Sequence, residues 1–292
     1  MAVDLSALRT QSFELLREEE NSSSYSYTLV DQMLNSAQLR ICTWACVNPL
    51  TKEVVSKGDL PFLNTDYFYS SVTDTYLSAD TTVWATELLA ITTNFATSGK
   101  LYIAGNIITY TGKSATQFTG VVGVLFAFKS GERISQVFSL PADFASIKNV
   151  TYNNKYRMEP REYDDIFEEL NKFKGQTYLV SPFYTIKDNS DLIIFNADNA
   201  GDMIRIRYEK LPTTMSSGTD TCVIPNDIYA KNTLPYLAIW EVMFNRWEEW
   251  RAGELLNFAY GQLREMYKFY NNASYESLNG KQYKIAKGRL NI

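Results

Sequence analysis

With 292 residues, 45% of them apolar, the chain can form two ordinary domains or one module carrying a large insertion. It contains no histidine, which removes Ser–His–Asp and Cys–His nucleophilic sites, HExxH metalloproteases and most catalytic zinc sites. The 28 basic and 33 acidic side chains, net −5, argue against a chain-wide grip on nucleic acid, because that grip comes from Lys and Arg on phosphates.

The first 46 residues predict two helices. Leu5, Leu8, Ser12, Leu15 and Leu16 share one 3.6-residue face, with Asp4 as N-cap. An acidic, serine-rich break at residues 18–24 separates them from a second amphipathic run. Its buried side is Leu29, Val30, Met33, Leu34, Ala37, Ile41 and Ala45, with Thr28 as cap and Pro49 marking the end. Cys42 and Cys46 then fall at i and i+4. That spacing could suit a metal, but without His or a second Cys pair the two read better as small core hydrophobes; with Cys222 as the third cysteine and no CxxC, all three read as reduced thiols. The start of the chain lacks the basic and apolar regions of a signal peptide. The most apolar runs, 121–128 and 234–244, are too short for a bilayer. A soluble intracellular product is the expectation.

From Val54 to Lys210 the texture is β, with runs rich in Thr, Tyr, Val and Ile between Gly, Asn and Ser turns. Residues 100–113 read as a hairpin turning at Gly105-Asn106, and residues 117–120 as the start of the next strand. A second hairpin is expected between 192–195 and 203–208. One helix is expected at 160–173, with Pro160 in its first turn. After a Thr/Ser/Gly-rich loop at 212–221, a long helix runs from about Ile228 to Tyr270, capped by Asn226 or Asp227. Its stripe is Tyr236, Ile239, Trp240, Met243, Phe244, Trp247 and Trp250, resumed by Leu256, Tyr260, Leu263 and Tyr267, with Gly253 as a kink.

This order predicts an α+β fold. N-terminal helices and the long C-terminal helix form one helical module, from which a large β-rich insertion emerges at about Val47 and returns at Val223. The divisions are 1–49, 50–139, 140–222, 223–272 and a basic tail, 273–292.

Candidate chemistry is thin. Glu162, Asp164, Asp165, Glu168 and Glu169 crowd one short helix, where paired acids could serve glycoside hydrolysis; a solvated helix N-terminus explains them better. Asp188, Asn189 and Asp191 have faint calcium-loop spacing without the closing Glu, and turn chemistry accounts for them. No phosphate-cradling motif occurs. Trp247, Trp250 and Arg251 could stack bases, although a helical stripe favours core or subunit packing. The 20 Tyr, 16 Phe and 5 Trp fit either a broad protein–protein surface or a strand-rich fold.

Several segments together resemble one family. They are Leu8-Arg-Thr, Glu14-Leu-Leu and the Tyr27-to-Gln38 helix ending Asn35-Ser-Ala-Gln38, followed by Leu140-Pro-Ala-Asp-Phe144 with Val150. Ile204-Arg-Ile-Arg-Tyr-Glu-Lys-Leu-Pro212, Val223-Ile-Pro225 and Arg251-Ala-Gly-Glu254 complete the series. In this order they resemble the head–tail connector (adaptor) proteins of tailed bacteriophages. The Ile108-Thr-Tyr-Thr-Gly112 hairpin is similar to small β modules of phage structural proteins, and the β insertion is a departure from the compact connectors.

The resemblance implies a non-enzymatic virion protein, made in the host cytoplasm and placed at the neck between head and tail. Such proteins form a ring, commonly of twelve copies, under the portal. The ring extends a channel through which duplex DNA passes without sequence-specific binding, and it carries the tail. No cofactor, metal or membrane anchor is implied. Portal docking falls to Lys281, Lys284, Ile285, Lys287, Arg289, Leu290 and Ile292, with the β insertion facing tail or neck proteins. Subunit packing is expected from Tyr236, Trp240, Trp247, Trp250 and Arg251. The alternatives are a tail or baseplate structural protein and a glycan hydrolase resting on acids such as Asp165 and Glu168.

Overall fold

A computed structural model describes residues 2–20, 22–42, 45–58, 60–70, 74–153, 156–163, 182–195, 203–246 and 248–278. The chain is mixed α+β and divides into two compact units. One runs up to Asn64 and resumes at Lys210; the other is Thr65–Glu209. The exchange thus occurs seventeen residues later than Val47 and thirteen earlier than Val223. The proposed division at residue 139 falls inside the second unit, which is continuous across it.

The first unit is built on helices α1 (Leu5–Leu16), α2 (Tyr27–Ile41), α3 (Asp227–Asn245) and α4 (Glu249–Leu278). Asp4 caps α1 by accepting from the Ala7 N–H at 2.8 Å. The cap of α2 is Ser26 rather than Thr28, its hydroxyl accepting from the Leu29 N–H. The helix stops at Ile41, short of Ala45, because strand β1 (Ala45–Val47) turns back onto β2 (Val54–Ser56). Asn48 holds that turn, its side chain accepting from the Leu50 and Thr51 N–H groups. Cys46 therefore lies on a strand and shares no helical face with Cys42.

The long C-terminal helix is two helices. Asn226 caps α3, accepting from the Ile228 and Tyr229 N–H groups. The break falls between Asn245 and Glu249, while Gly253 lies within α4. Pro235 is tolerated inside α3 and is buried there. One core joins the four helices, with Leu8, Leu34, Leu234, Leu256 and Leu263 all fully buried. Three tyrosine and arginine side chains tie α4 and α2 to the neighbouring backbone. Tyr260 donates to the Val47 carbonyl at 2.6 Å, Tyr267 to that of Ile41 at 2.7 Å, and Arg40 to that of Val47 at 3.0 Å.

Among the described residues the second unit holds three sheets. The largest has strands β13 (Glu159–Pro160), β14 (Phe183–Lys187), β15 (Asp191–Phe195), β10 (Arg133–Ser139), β6 (Gly99–Ile103) and β7 (Asn106–Tyr110) in that order, with β4 (Asp74–Tyr76) also on β10. A four-stranded sheet runs β12 (Tyr156–Arg157), β11 (Phe144–Tyr152), β16 (Met203–Lys210), β3 (Asn64–Ser70). The third runs β5 (Glu87–Leu89), β9 (Gln117–Thr119), β8 (Gly112–Lys113).

The β6–β7 hairpin forms as expected, but its two-residue turn is Ala104-Gly105, both at positive φ. The 192–195 run does not pair with 203–208. Its hairpin partner is β14, through a turn with Asp188 and Asn189 at positive φ, while β16 joins the other sheet. Pro160 lies in β13 instead of starting a helix.

The tyrosines of this unit predict an alkaline response. Burial pushes the Tyr102 and Tyr110 phenols up to about 12. Burial, aided by the hydrogen bond to Asp143, does the same for Tyr208. In the unfolded chain tyrosine ionises near 10. The folded state therefore keeps these protons after the unfolded state has lost them. Their contribution to stability is complete below about pH 10 and declines toward pH 12. Urea denaturation at about pH 9 and about pH 11 should show the unit weaker at the higher pH; equal midpoints would contradict it.

Candidate functional site

Two sequence segments without a charge, residues 81–86 and 121–128, meet in the second unit. The Thr81 N–H donates to the Phe128 carbonyl at 2.9 Å, Trp84 to Val124 at 2.9 Å, and Val121 to Thr86 at 2.9 Å. Val121, Val124 and Phe128 point inward and are buried with Leu88, Ile108 and Phe118. Their neighbours point out. Trp84 is 71% exposed and Phe126 64%, with Leu125, Val122 and Val83 also exposed. Trp84 sits at φ 63, in the left-handed region that a bulky residue occupies only at a cost. The result is an apolar tip fixed from beneath by a packed core. Exposed apolar side chains brought onto two paired segments in this way form a candidate interaction site.

The helical unit also exposes large aromatic side chains at several separate positions. Trp250, at the start of α4, is 77% exposed, and Phe244, Phe258 and Phe269 are exposed as well. The other residues expected to pack subunits are engaged within the chain. Tyr236 and Trp240 are half-buried against the helical core, and Tyr236 lies 4.8 Å from the Phe258 ring. Arg251 donates to the Leu15 carbonyl at 2.5 Å and to Glu248 at 3.1 Å, which fixes α4 to α1. Trp247 and the seven expected portal-docking residues, Lys281, Lys284, Ile285, Lys287, Arg289, Leu290 and Ile292, lie outside the described residues.

The weighed chemical sites do not assemble where they are described. Asp164, Asp165, Glu168 and Glu169 lie outside the described residues, and Glu162 is exposed. Asp191 is no calcium ligand, since Lys100 holds both its carboxylate oxygens at 2.7 and 2.9 Å. Among the described residues no group of three His, Cys, Asp or Glu side chains could hold a metal. Cys42 and Cys222 are buried, and burial pushes the Cys222 thiol up, away from the reactive thiolate. Among the described residues no helix is long and apolar enough to cross a membrane.

The apolar tip is the surface that sequence reasoning missed. Its signal was present as two charge-free stretches, yet the 121–128 run reads as core unless the pairing with Trp84 is known. No protein-family model and no curated protein matches the chain. The chain is a mixed α+β protein of two units, each displaying large aromatic side chains.

Proposed function

We propose that this protein is a structural adaptor of a tailed-phage virion, forming a ring under the portal that extends the DNA channel and carries the tail. The observation that carries the reading is the pairing of architecture with surface. Both ends of the chain contribute to one helical unit, a β unit is inserted between α2 and α3, and each unit exposes anchoring aromatics. A ring subunit needs two different self-contacting faces and further faces for its neighbours above and below. Trp250 and its neighbours serve a neighbouring subunit, and the Trp84–Phe126 tip serves a tail or neck protein, since buried aromatics supply most of the energy of such contacts. The net charge of −5, with 33 acidic against 28 basic side chains, gives no chain-wide attraction to phosphates, which suits a channel that DNA must slide through.

Electron microscopy of the purified protein tests this reading directly. The expected result is a ring with a central hole, alone or once mixed with a portal protein. A monodisperse monomer under both conditions would overturn it.

A further inference from the structure

Gly261 stands within α4, where glycine costs helix stability relative to alanine. Packing inside the chain does not ask for it. Among the described residues no atom lies within 4 Å of the place its Cβ would take. A missing side chain that faces open space leaves room for a second backbone to come close.

The residues around Gly261 share its face. Glu254, Phe258, Gly261, Glu265 and Lys268 follow at intervals of four, three, four and three, the spacing of one helical stripe. The four that carry side chains are exposed, whereas Leu256, Ala259, Leu263 and Met266 on the other side of α4 are buried. Phe258 and the nearby Phe269 are 42% and 52% exposed. Both rings are braced from within the chain, Phe258 by Tyr236 at 4.8 Å and Phe269 by Tyr270 at 5.1 Å.

The charges of the stripe are matched to a reversed copy of itself. Glu254 lies seven residues before Gly261 and Lys268 seven after; Glu265, four after, answers the uncharged Asn257, four before. If a second α4 lies antiparallel with its Gly261 against this one, Glu254 of each copy faces Lys268 of the other. No like charges meet at these positions. Within one chain Lys268 bonds to Glu265 at 3.0 Å, but both side chains are more than half exposed. An exposed pair of that kind contributes little, so Lys268 exchanges readily to Glu254 across the joint.

We propose that two free chains pair through α4, antiparallel and two-fold about Gly261, with Phe258 and Phe269 supplying the apolar contact. The occupant is a second copy because the stripe is complementary to its own reverse, a symmetry that a foreign helix would not require. The contact is isologous and therefore ends at two copies. It goes beyond the ring reading and does not rest on it. Trp250 lies four residues before Glu254 on the same face. The pair thus covers aromatics assigned to the ring and must open before that contact forms, which holds chains back from assembling away from the portal.

Sedimentation velocity of the full chain without portal protein, diluted until any ring has come apart, tests the pairing. The wild type should run as two chains. Glu254→Lys alone and Lys268→Glu alone each set like charges together at both ends of the joint. Each should weaken the pair by about tenfold, the combined effect of two exposed ion pairs turned repulsive. Mixed in equal amounts, the two variants present opposite charges to each other and should pair again as tightly as the wild type. Positions 254 and 268 are about 21 Å apart along one helix, so this rescue cannot arise inside a chain. Gly261→Arg should lose the pair while keeping the wild-type helix content and unfolding midpoint, since its side chain enters open space in the single chain. A wild type that runs as one chain, single variants that pair like the wild type, or a mixture that stays unpaired would each overturn the pairing. A ring formed on portal protein in any of these cases would leave the proposed function standing.

Discussion

Replacing Leu263 by alanine is expected to cost the helical unit about 2–5 kcal/mol, the range for truncating a fully buried leucine. Leu263 has no exposed surface and sits on α4 among Leu34, Leu234 and Leu256, all equally buried. The cost combines lost transfer energy with the cavity left among side chains that cannot all move inward. Set against a typical domain stability of about 5–15 kcal/mol, the loss is large enough to separate two unfolding events. The cores of the two units share no residue: one draws on residues up to Leu63 and from Met215 onward, the others on residues between Tyr69 and Tyr208. Four of the five tryptophans, Trp44, Trp240, Trp247 and Trp250, belong to the sequence of the helical unit. Tryptophan fluorescence during urea unfolding should therefore report the loss. Far-UV circular dichroism should keep a β-unit transition at the wild-type midpoint. A single transition shifted as a whole would mean that the two units unfold together.

The success of the sequence reading depended on whether a feature is local. The α1 face was legible because Asp4, Leu5, Leu8, Ser12 and Leu16 carry cap and period within sixteen residues, and the structure buries that face. The β6–β7 hairpin was legible for the same reason. Its turn was misplaced by one residue because Ala104, which has no special preference for positive φ, takes the first turn position. Partners are not local. Residues 191–195 read as a strand, but all five are buried, which marks a central strand with neighbours on both sides rather than half of an isolated hairpin. That pattern, Asp-Leu-Ile-Ile-Phe without alternation, was visible and pointed away from pairing with the alternating 203–208 run. Asp191 illustrates the limit: its partner, Lys100, lies on a different strand and no spacing rule connects them. The apolar tip was hidden likewise, since exposure at Val122, Leu125 and Phe126 depends on which neighbours the strand pairing turns inward.

Trp250→Ala is expected to weaken assembly of the ring by roughly 30-fold or more, the effect of losing an aromatic hot spot worth about 2 kcal/mol. The side chain is 77% exposed, so its removal takes little from the core of a single chain. Exposed substitutions usually change stability by no more than about 0.5 kcal/mol, and the unfolding midpoint should therefore stay in place. Arg251, its neighbour, behaves in the opposite way. Its guanidinium is committed to the Leu15 carbonyl, and Arg251→Ala should lower stability by leaving that acceptor without its donor. Trp84→Ala provides the third arm, because the tip on the β unit is assigned to a tail or neck protein and not to the neighbouring subunit. Mass photometry over a dilution series separates the three. Trp250→Ala should fall apart at a higher concentration than the wild type, whereas Trp84→Ala should follow the wild-type curve. If Trp250→Ala assembles like the wild type, the exposed aromatics of α4 have no part in the ring.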